Sequence, residues 1–251
     1  MCGRYSFAVE DALIRERFGI RVRTAIYKAR YNCAPGQSLA VIANGSGELS
    51  LFRWGLIPAW AKDSSMGSRM INARSETITE KPAFRNAFKN RRCLVPADGF
   101  FEWKKDREKT PFRILMKNRA PFSMAGIWDQ WSAPDGGIIQ SFSILTTGPN
   151  ELMATIHDRM PVILRQEEEE NWLKGSDPAL LLKLLRPYPG GEMEAYAVSK
   201  LVNSVKNDIP GILEPAAGML FYILRIYPGI SEHPRASLSL NRPSTSNLPS
   251  G

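Results

Sequence analysis

An α+β fold is predicted by three observations. Short runs of apolar, β-branched and aromatic residues recur through the middle of the chain, polar or Gly/Pro-containing clusters separate several of them, and the later segments turn helical. Residues 8–19 read as an amphipathic helix, with Leu13, Phe18 and Ile20 as its apolar positions. Ser38 to Ala43 and Leu51 to Leu56 read as strands joined by the turn Asn44-Gly45-Ser46-Gly47. A short basic helix is expected over 80–90. Strands are expected at Cys93 to Val95, Phe100 to Trp103, Phe112 to Met116, Phe122 to Trp128 and Ser141 to Thr146. The spacing suggests an antiparallel core, either barrel-like or sandwich. Beyond it, Gly148-Pro149-Asn150 leads into a helix toward Ile156, Gln166 to Leu173 forms another, and Asp177-Pro178 starts a Leu-rich third. No domain boundary is evident before about Pro215. Residues 1–215 are expected to form one domain and 216–251 a separate tail. In the tail, Met219 to Tyr227 is apolar, and the stretch after Ser231 has the Ser/Pro/Asn composition of disordered chain.

Bulk composition narrows the function. No segment has the run of about 18 apolar residues that a membrane span needs, so no membrane partner is expected. Cys2, Arg4, Glu10 and Asp11 interrupt the start of the chain before a signal-peptide core could form. The three cysteines, Cys2, Cys33 and Cys93, are odd in number and far apart, which argues against a disulfide framework. Together these point to a reducing compartment: the cytoplasm of a bacterium, at the nucleoid, or a eukaryotic nucleus. The net charge is +8, and residues 1–216 hold 30 basic and 24 acidic side chains. That excess suits a polyanion, because Lys and Arg gain affinity by displacing phosphate counterions.

Cys2 is the first residue with distinctive chemistry. If Met1 is excised, Cys2 carries an α-amine beside a thiol, with ordinary pKa values of about 8 and 8.5. Such a 1,2-aminothiol forms an imine with an aldehyde and then closes to a thiazolidine. The plain alternative is a cysteine that happens to be second. His157, in Ile156-His157-Asp158-Arg159-Met160-Pro161, can move protons near neutral pH, or can simply end a helix. Glu102 lies between aromatics in Phe100-Phe101-Glu102-Trp103. Strand alternation puts it on one face with Phe100 and puts Phe101 with Trp103 on the other. In a dry pocket its pKa would rise and make it a general acid; on the surface it would pair with Lys104 or Lys105. Asn72 and Arg74 are two apart in an extended segment and face the same way, as would suit an oxygen-rich ligand and its phosphate, although Asn72 could equally cap a turn. The segment Trp54-Gly55-Leu56-Ile57-Pro58-Ala59-Trp60 offers aromatic surface, but Trp54 itself is expected in the core. Walker-type loops, HExxH and GxSxG are absent, and the cysteines and His157 lack zinc spacing; no metal and no cofactor is expected.

Taken in order, these segments resemble one family closely: the SRAP proteins (SOS-response-associated peptidases, also called abasic-site processing proteins). The resemblance runs through Met1-Cys2-Gly3-Arg4-Tyr5, Tyr31-Asn32-Cys33-Ala34-Pro35-Gly36, Arg53 to Trp60 and Asn72-Ala73-Arg74-Ser75-Glu76-Thr77. It continues through Arg92 to Trp103, Ile156 to Pro161, Val198-Ser199 and Val202 to Asn207. It covers roughly residues 2–215. It implies a bifurcated, mainly antiparallel sheet folded into a pseudo-barrel with flanking helices. It implies an enzyme that crosslinks covalently to abasic sites in single-stranded DNA, shielding the lesion in the DNA damage response. It assigns Cys2 as nucleophile, Glu102 as proton donor to the sugar ring oxygen, His157 as proton shuttle and Asn72 as orienter of the Cys2 amine. Arg4, Arg74 and Arg159 are implied as DNA contacts, with Trp54 or its neighbours near the strand. A monomer is expected.

Two other readings stand beside it. A cysteine peptidase could use Cys2, His157 and Glu102 or Asn72 to remove its own Met1. A non-catalytic protein could bind single strands through basic and aromatic surface alone.

Overall fold

A computed structural model describes residues 2–22 and 27–216. The chain enters as β1 (Arg4–Phe7), α1 (Asp11–Phe18) and β2 (Arg30–Cys33), then β3 (Ser38–Ala43), β4 (Ser50–Trp54) and the three-residue β5 (Asn72–Arg74). Next come α2 (Arg85–Asn90), β6 (Arg92–Ala97), β7 (Gly99–Trp103), β8 (Pro111–Met116), β9 (Phe122–Ser132) and β10 (Ile138–Thr147). The last third holds α3 (Glu151–Ala154), β11 (Met160–Pro161), β12 (Ile163–Leu164), α4 (Gln166–Lys174), α5 (Pro178–Lys183) and β13 (Met193–Ala197). The tail, on which the expectation of an apolar run at Met219 to Tyr227 falls, lies outside the described residues.

The architecture is α+β, as the strand spacing predicts. Pairings β3–β4, β4–β10, β10–β9, β9–β6 and β6–β3 return to their start and close a five-stranded barrel, antiparallel except at β4–β10. A second sheet, ordered β13-β8-β7-β1-β2, is antiparallel throughout. The chain crosses from barrel to second sheet between Ala97 and Gly99. There Asp98 accepts hydrogen bonds from the Ser6 hydroxyl, the Ala8 N–H at 2.8 Å and the Arg113 guanidinium at 3.2 Å. β7 serves two cores: Phe100 enters the main cluster with Tyr5, Trp54 and Phe142, while Phe101 packs with Leu115, Tyr196, Val202 and Ile212.

Several expected elements sit where the pattern placed them. The strand at Ser38 to Ala43 has the predicted bounds, and Asp177 caps α5 by accepting from Ala179 N–H at 2.8 Å. The first helix is shorter and turned differently: Ile14 is buried and Leu13 is 40% exposed. It stops at Gly19, whose φ of 61° is left-handed and whose N–H bonds Arg15 O at 2.9 Å. Strands β1, β2 and β13 are not evident from the sequence. Their mixtures of charged, small and aromatic residues (Arg-Tyr-Ser-Phe, Arg-Tyr-Asn-Cys, Met-Glu-Ala-Tyr-Ala) become strands because a long-range partner supplies the ladder. Among the described residues, no helix is long and apolar enough to cross a membrane.

Candidate active site

Cys2 is fully buried at the head of β1, where Arg4 pairs with Phe101 and Tyr5 with Phe100 on β7. That register brings the start of the chain to the Glu102 end of β7. Asn72 reaches the same place from the barrel. It opens β5, which is held in register by Ile144 of β10, and its amide Nδ2 donates to Cys2 O at 2.8 Å. Its Oδ1 is buried and accepts no hydrogen bond among the described residues. An asparagine that uses only its donor half here has an acceptor free for an N–H or O–H brought by something else.

Glu102 pairs with Phe112 in the β7–β8 ladder and is 2% exposed. Burial dominates its titration and raises the carboxyl from 4.5 to about 7. That burial, rather than a solvent-facing position, is what the strand gives it, and Lys105 turns instead to Asp158 at 2.7 Å. Burial, and then the Glu102 charge, push the Cys2 thiol well above its ordinary value. Its hydrogen points to Arg4 O, 3.8 Å from Sγ.

His157 follows the short helix α3, and its N–H bonds Met153 O at 2.7 Å. The bond from Lys105 N–H to Ile156 O, 3.3 Å, ties its backbone to the end of β7. Its Nδ1 accepts the Arg159 N–H at 3.1 Å and lies 2.9 Å from Asp158 Oδ1. Burial lowers its pKa while Asp158 opposes the shift, so neutral imidazole is favoured at neutral pH.

The four residues expected to contact DNA part ways in the structure. Arg74 is exposed on β5, two residues from Asn72. Arg4 is engaged inward, donating to Asn32 Oδ1 and Val202 O at 2.7 Å each and to Asn203 O at 3.2 Å. Arg159 clamps Glu76 through both guanidinium nitrogens, at 2.5 and 2.9 Å, and donates to Thr146 O at 2.7 Å. Trp54 is buried, stacked on Phe142 with centroids 6.2 Å apart, and its Nε1 donates to Ile71 O at 2.8 Å. Its indole therefore presents no face to a strand and instead supports the backbone just before Asn72. The exposed indole of that motif is Trp60, 60% exposed.

Sequence reasoning missed the network that fixes the back of the site. Buried Asn32 accepts from Arg4 and donates to Ser204 O at 3.0 Å and Asn207 O at 2.9 Å. Asp208 accepts from the Tyr31 and Asn32 N–H groups at 2.6 and 2.9 Å. Asn32 lies in Tyr31 to Gly36 while Ser204 and Asn207 lie in Val202 to Asn207, and nothing in either segment says that they meet. Among the described residues, no group of three or more His, Cys, Asp or Glu is placed to hold a metal ion.

A barrel strand and a second-sheet strand thus converge on a chain-start cysteine, a buried carboxyl of raised pKa, an asparagine with a free acceptor and a histidine. The set places a thiol among groups able to give and take protons. Comparison with known proteins gives it a lineage. The family model for SOS response associated peptidase (SRAP) matches residues 1–205, and the chain belongs to that family. It is 47% identical over 222 residues to the abasic site processing protein YoqW of Bacillus subtilis (strain 168), covering 85% of this chain and 99% of that one. It is 34% identical over 220 residues to the abasic site processing protein HMCES of Xenopus tropicalis, covering 73% of this chain and 65% of that one. A crystal structure of a Bacteroides thetaiotaomicron protein superposes with a TM-score of 0.79 at 34% identity, over 86% of this chain and all of that one.

Proposed function

We propose that this protein processes abasic sites in DNA by forming a covalent bond to them through Cys2, once Met1 is removed. The observation that carries the reading is the junction itself: Cys2 at the head of β1, held by Asn72, with its thiol in the field of Glu102. An abasic sugar is a masked aldehyde. Glu102, protonated up to about pH 7, gives its proton to the ring oxygen as the bond from C1′ to that oxygen breaks, and the 1′-hydroxyl returns its own proton to the carboxylate as the aldehyde appears. The Cys2 amine adds to that carbon, and His157 moves the proton that the nitrogen must lose. Water departs to leave the imine. The thiol then adds to the imine carbon, its proton passing to the nitrogen, and the net change is aldehyde plus aminothiol to thiazolidine plus water. Asn72 orients the Cys2 end of the chain, and its free Oδ1 accepts from the amine or the opened sugar hydroxyl.

A strand without a partner meets this need best, because a buried nucleophile is reached without breaking base pairs. A peptidase reading fits the electrostatics less well. A cysteine peptidase works through a depressed thiol, whereas burial and Glu102 raise this one. The test is a denaturing gel of the protein with a single-stranded oligonucleotide bearing one abasic site, beside Cys2→Ala. A heat-resistant shifted band that needs Cys2 supports the reading. Absence of a band, with Met1 verified as removed, overturns it.

A further inference from the structure

His157 Nδ1 has two competing neighbours. The Arg159 backbone N–H reaches it at 3.1 Å, and Asp158 Oδ1 lies 2.9 Å away. One nitrogen cannot satisfy both at once. With a lone pair at Nδ1, the ring accepts from Arg159 and carries its proton on Nε2, where a neutral ring can neither take a second proton nor readily give the one it has. With a proton at Nδ1 facing Asp158, Nε2 can take a proton, and the imidazolium so formed can give it back. Asp158 is itself held in place: Lys105 Nζ grips its other oxygen at 2.7 Å, and Lys105 N–H is fixed to Ile156 O.

We propose that Asp158 is a positioning residue that, against the opposing Arg159 N–H, holds the second tautomer of His157, so that one imidazole serves as proton donor in one direction of the reaction and acceptor in the other. This rests on the abasic-site reading for its purpose, though not for its test. A reversible imine needs both roles: the nitrogen loses a proton as the adduct forms, and the reverse path must return it. Without Asp158 the Arg159 N–H would leave Nε2 protonated, and the shuttle would run poorly as a base. The charged groups that act on His157 are the amino terminus and Lys105, which lower the imidazole's affinity for a proton, and Asp158, which raises it.

The test is nitrogen-15 NMR of the imidazole in the full chain, with His233→Gln to leave one histidine, in the presence of Asp158 and after Asp158→Asn, Asp158→Glu and Lys105→Met. Asp158→Asn is expected to shift the neutral ring toward the Nε2–H tautomer and to move its titration midpoint to lower pH. Asp158→Glu should restore part of both, and Lys105→Met should move the midpoint the opposite way. A merely structural Asp158 would not produce opposite shifts from its two sides. In parallel, adduct formation and reversal in Asp158→Asn should both slow roughly two- to fivefold at neutral pH, the size expected of an exposed ion pair. An unchanged tautomer ratio and midpoint in Asp158→Asn overturns the proposal, whatever the adduct assay gives. Failure of the wild-type protein to form any adduct overturns instead the reading on which its purpose rests.

Discussion

Asn72 Nδ2 and the Cys2 carbonyl oxygen, 70 positions apart in sequence, are joined by a hydrogen bond of 2.8 Å. That bond fixes the second residue of the chain, close to a chain end, the part of a protein that is otherwise least constrained. Asn72→Ala removes the anchor and the free acceptor beside it. Adduct formation in single-turnover assays is expected to slow about ten- to hundredfold, corresponding to roughly 1–3 kcal/mol for a lost buried partner. Asn72→Asp should be at least as slow, since a carboxylate facing a carbonyl oxygen repels it. A rate within twofold of wild type in Asn72→Ala would remove Asn72 from the mechanism.

Glu102 makes the pH dependence specific. The folded carboxyl titrates near 7 and the unfolded one near 4.5, with burial as the main cause. Between those values the folded state keeps a proton that the unfolded state has lost. Stability is therefore full below about pH 4.5 and declines as pH rises toward 7, by an amount on the order of a few kcal/mol. Glu102→Gln should flatten that decline in denaturant titrations at pH 5 and pH 8. It should also slow adduct formation most below pH 7, where the wild-type carboxyl is a proton donor, and least above it. A mutant whose stability keeps the full wild-type slope would place the titration elsewhere.

The two partners of that site were unequally legible. Glu102 could be read because alternation on one strand sends Phe100 and Glu102 one way and Phe101 and Trp103 the other, and the two cores split as that pattern requires. The barrel strand at Ser38 to Ala43 was likewise visible as a local apolar run, and so was the strand Phe122–Ser132 as far as Trp128, beyond which its polar end could not be read. The family resemblance implied that Asn72 meets Cys2, but the ladder that brings it there could not be read, because β5 is three residues long and pairs with Ile144, Leu145 and Thr146 of β10. Arg4 and Asn32 were hidden for the same reason. Each looks like an ordinary surface residue until the segment 202–208 folds over it.

Gly55 and Gly67 touch backbone to backbone. A Cβ on Gly55 would lie 2.5 Å from Gly67 O, and one on Gly67 would lie 2.7 Å from Gly55 O. Gly55 also has φ of 122°, where other residues are strained. This contact seats the turn Ser64–Arg69 against the end of β4, and Leu56 N–H then bonds Met70 O at 3.1 Å, two residues before Asn72. Either Gly→Ala change is expected to cost about 2–4 kcal/mol and to slow the adduct by displacing Asn72. The double mutant should cost less than the two together, since both remove one contact. Thermal melts of the three variants measure this directly, and strict additivity would mean that the contact is not shared.

Arg74 and Arg4 separate phosphate contact from scaffold. Arg74 is exposed beside Asn72, whereas the Arg4 guanidinium is committed to Asn32 Oδ1, Val202 O and Asn203 O. A side chain that neutralises one phosphate contributes about 0.7 to the slope of log affinity against log salt on single strands. Arg74→Ala should weaken strand binding, reduce the slope by about that amount and leave the melting temperature nearly unchanged. Arg4→Ala strands a buried Asn32 acceptor and two carbonyls, so it should lower stability by roughly 2–4 kcal/mol. Its direct effect on the salt slope should be small, because the charge it removes already faces inward. Fluorescence anisotropy with a single-stranded oligonucleotide at several salt concentrations, paired with melts, distinguishes the two. A reduced slope with unchanged stability in Arg4→Ala would show that its internal bonds yield to the nucleic acid and that phosphate contact is its principal role.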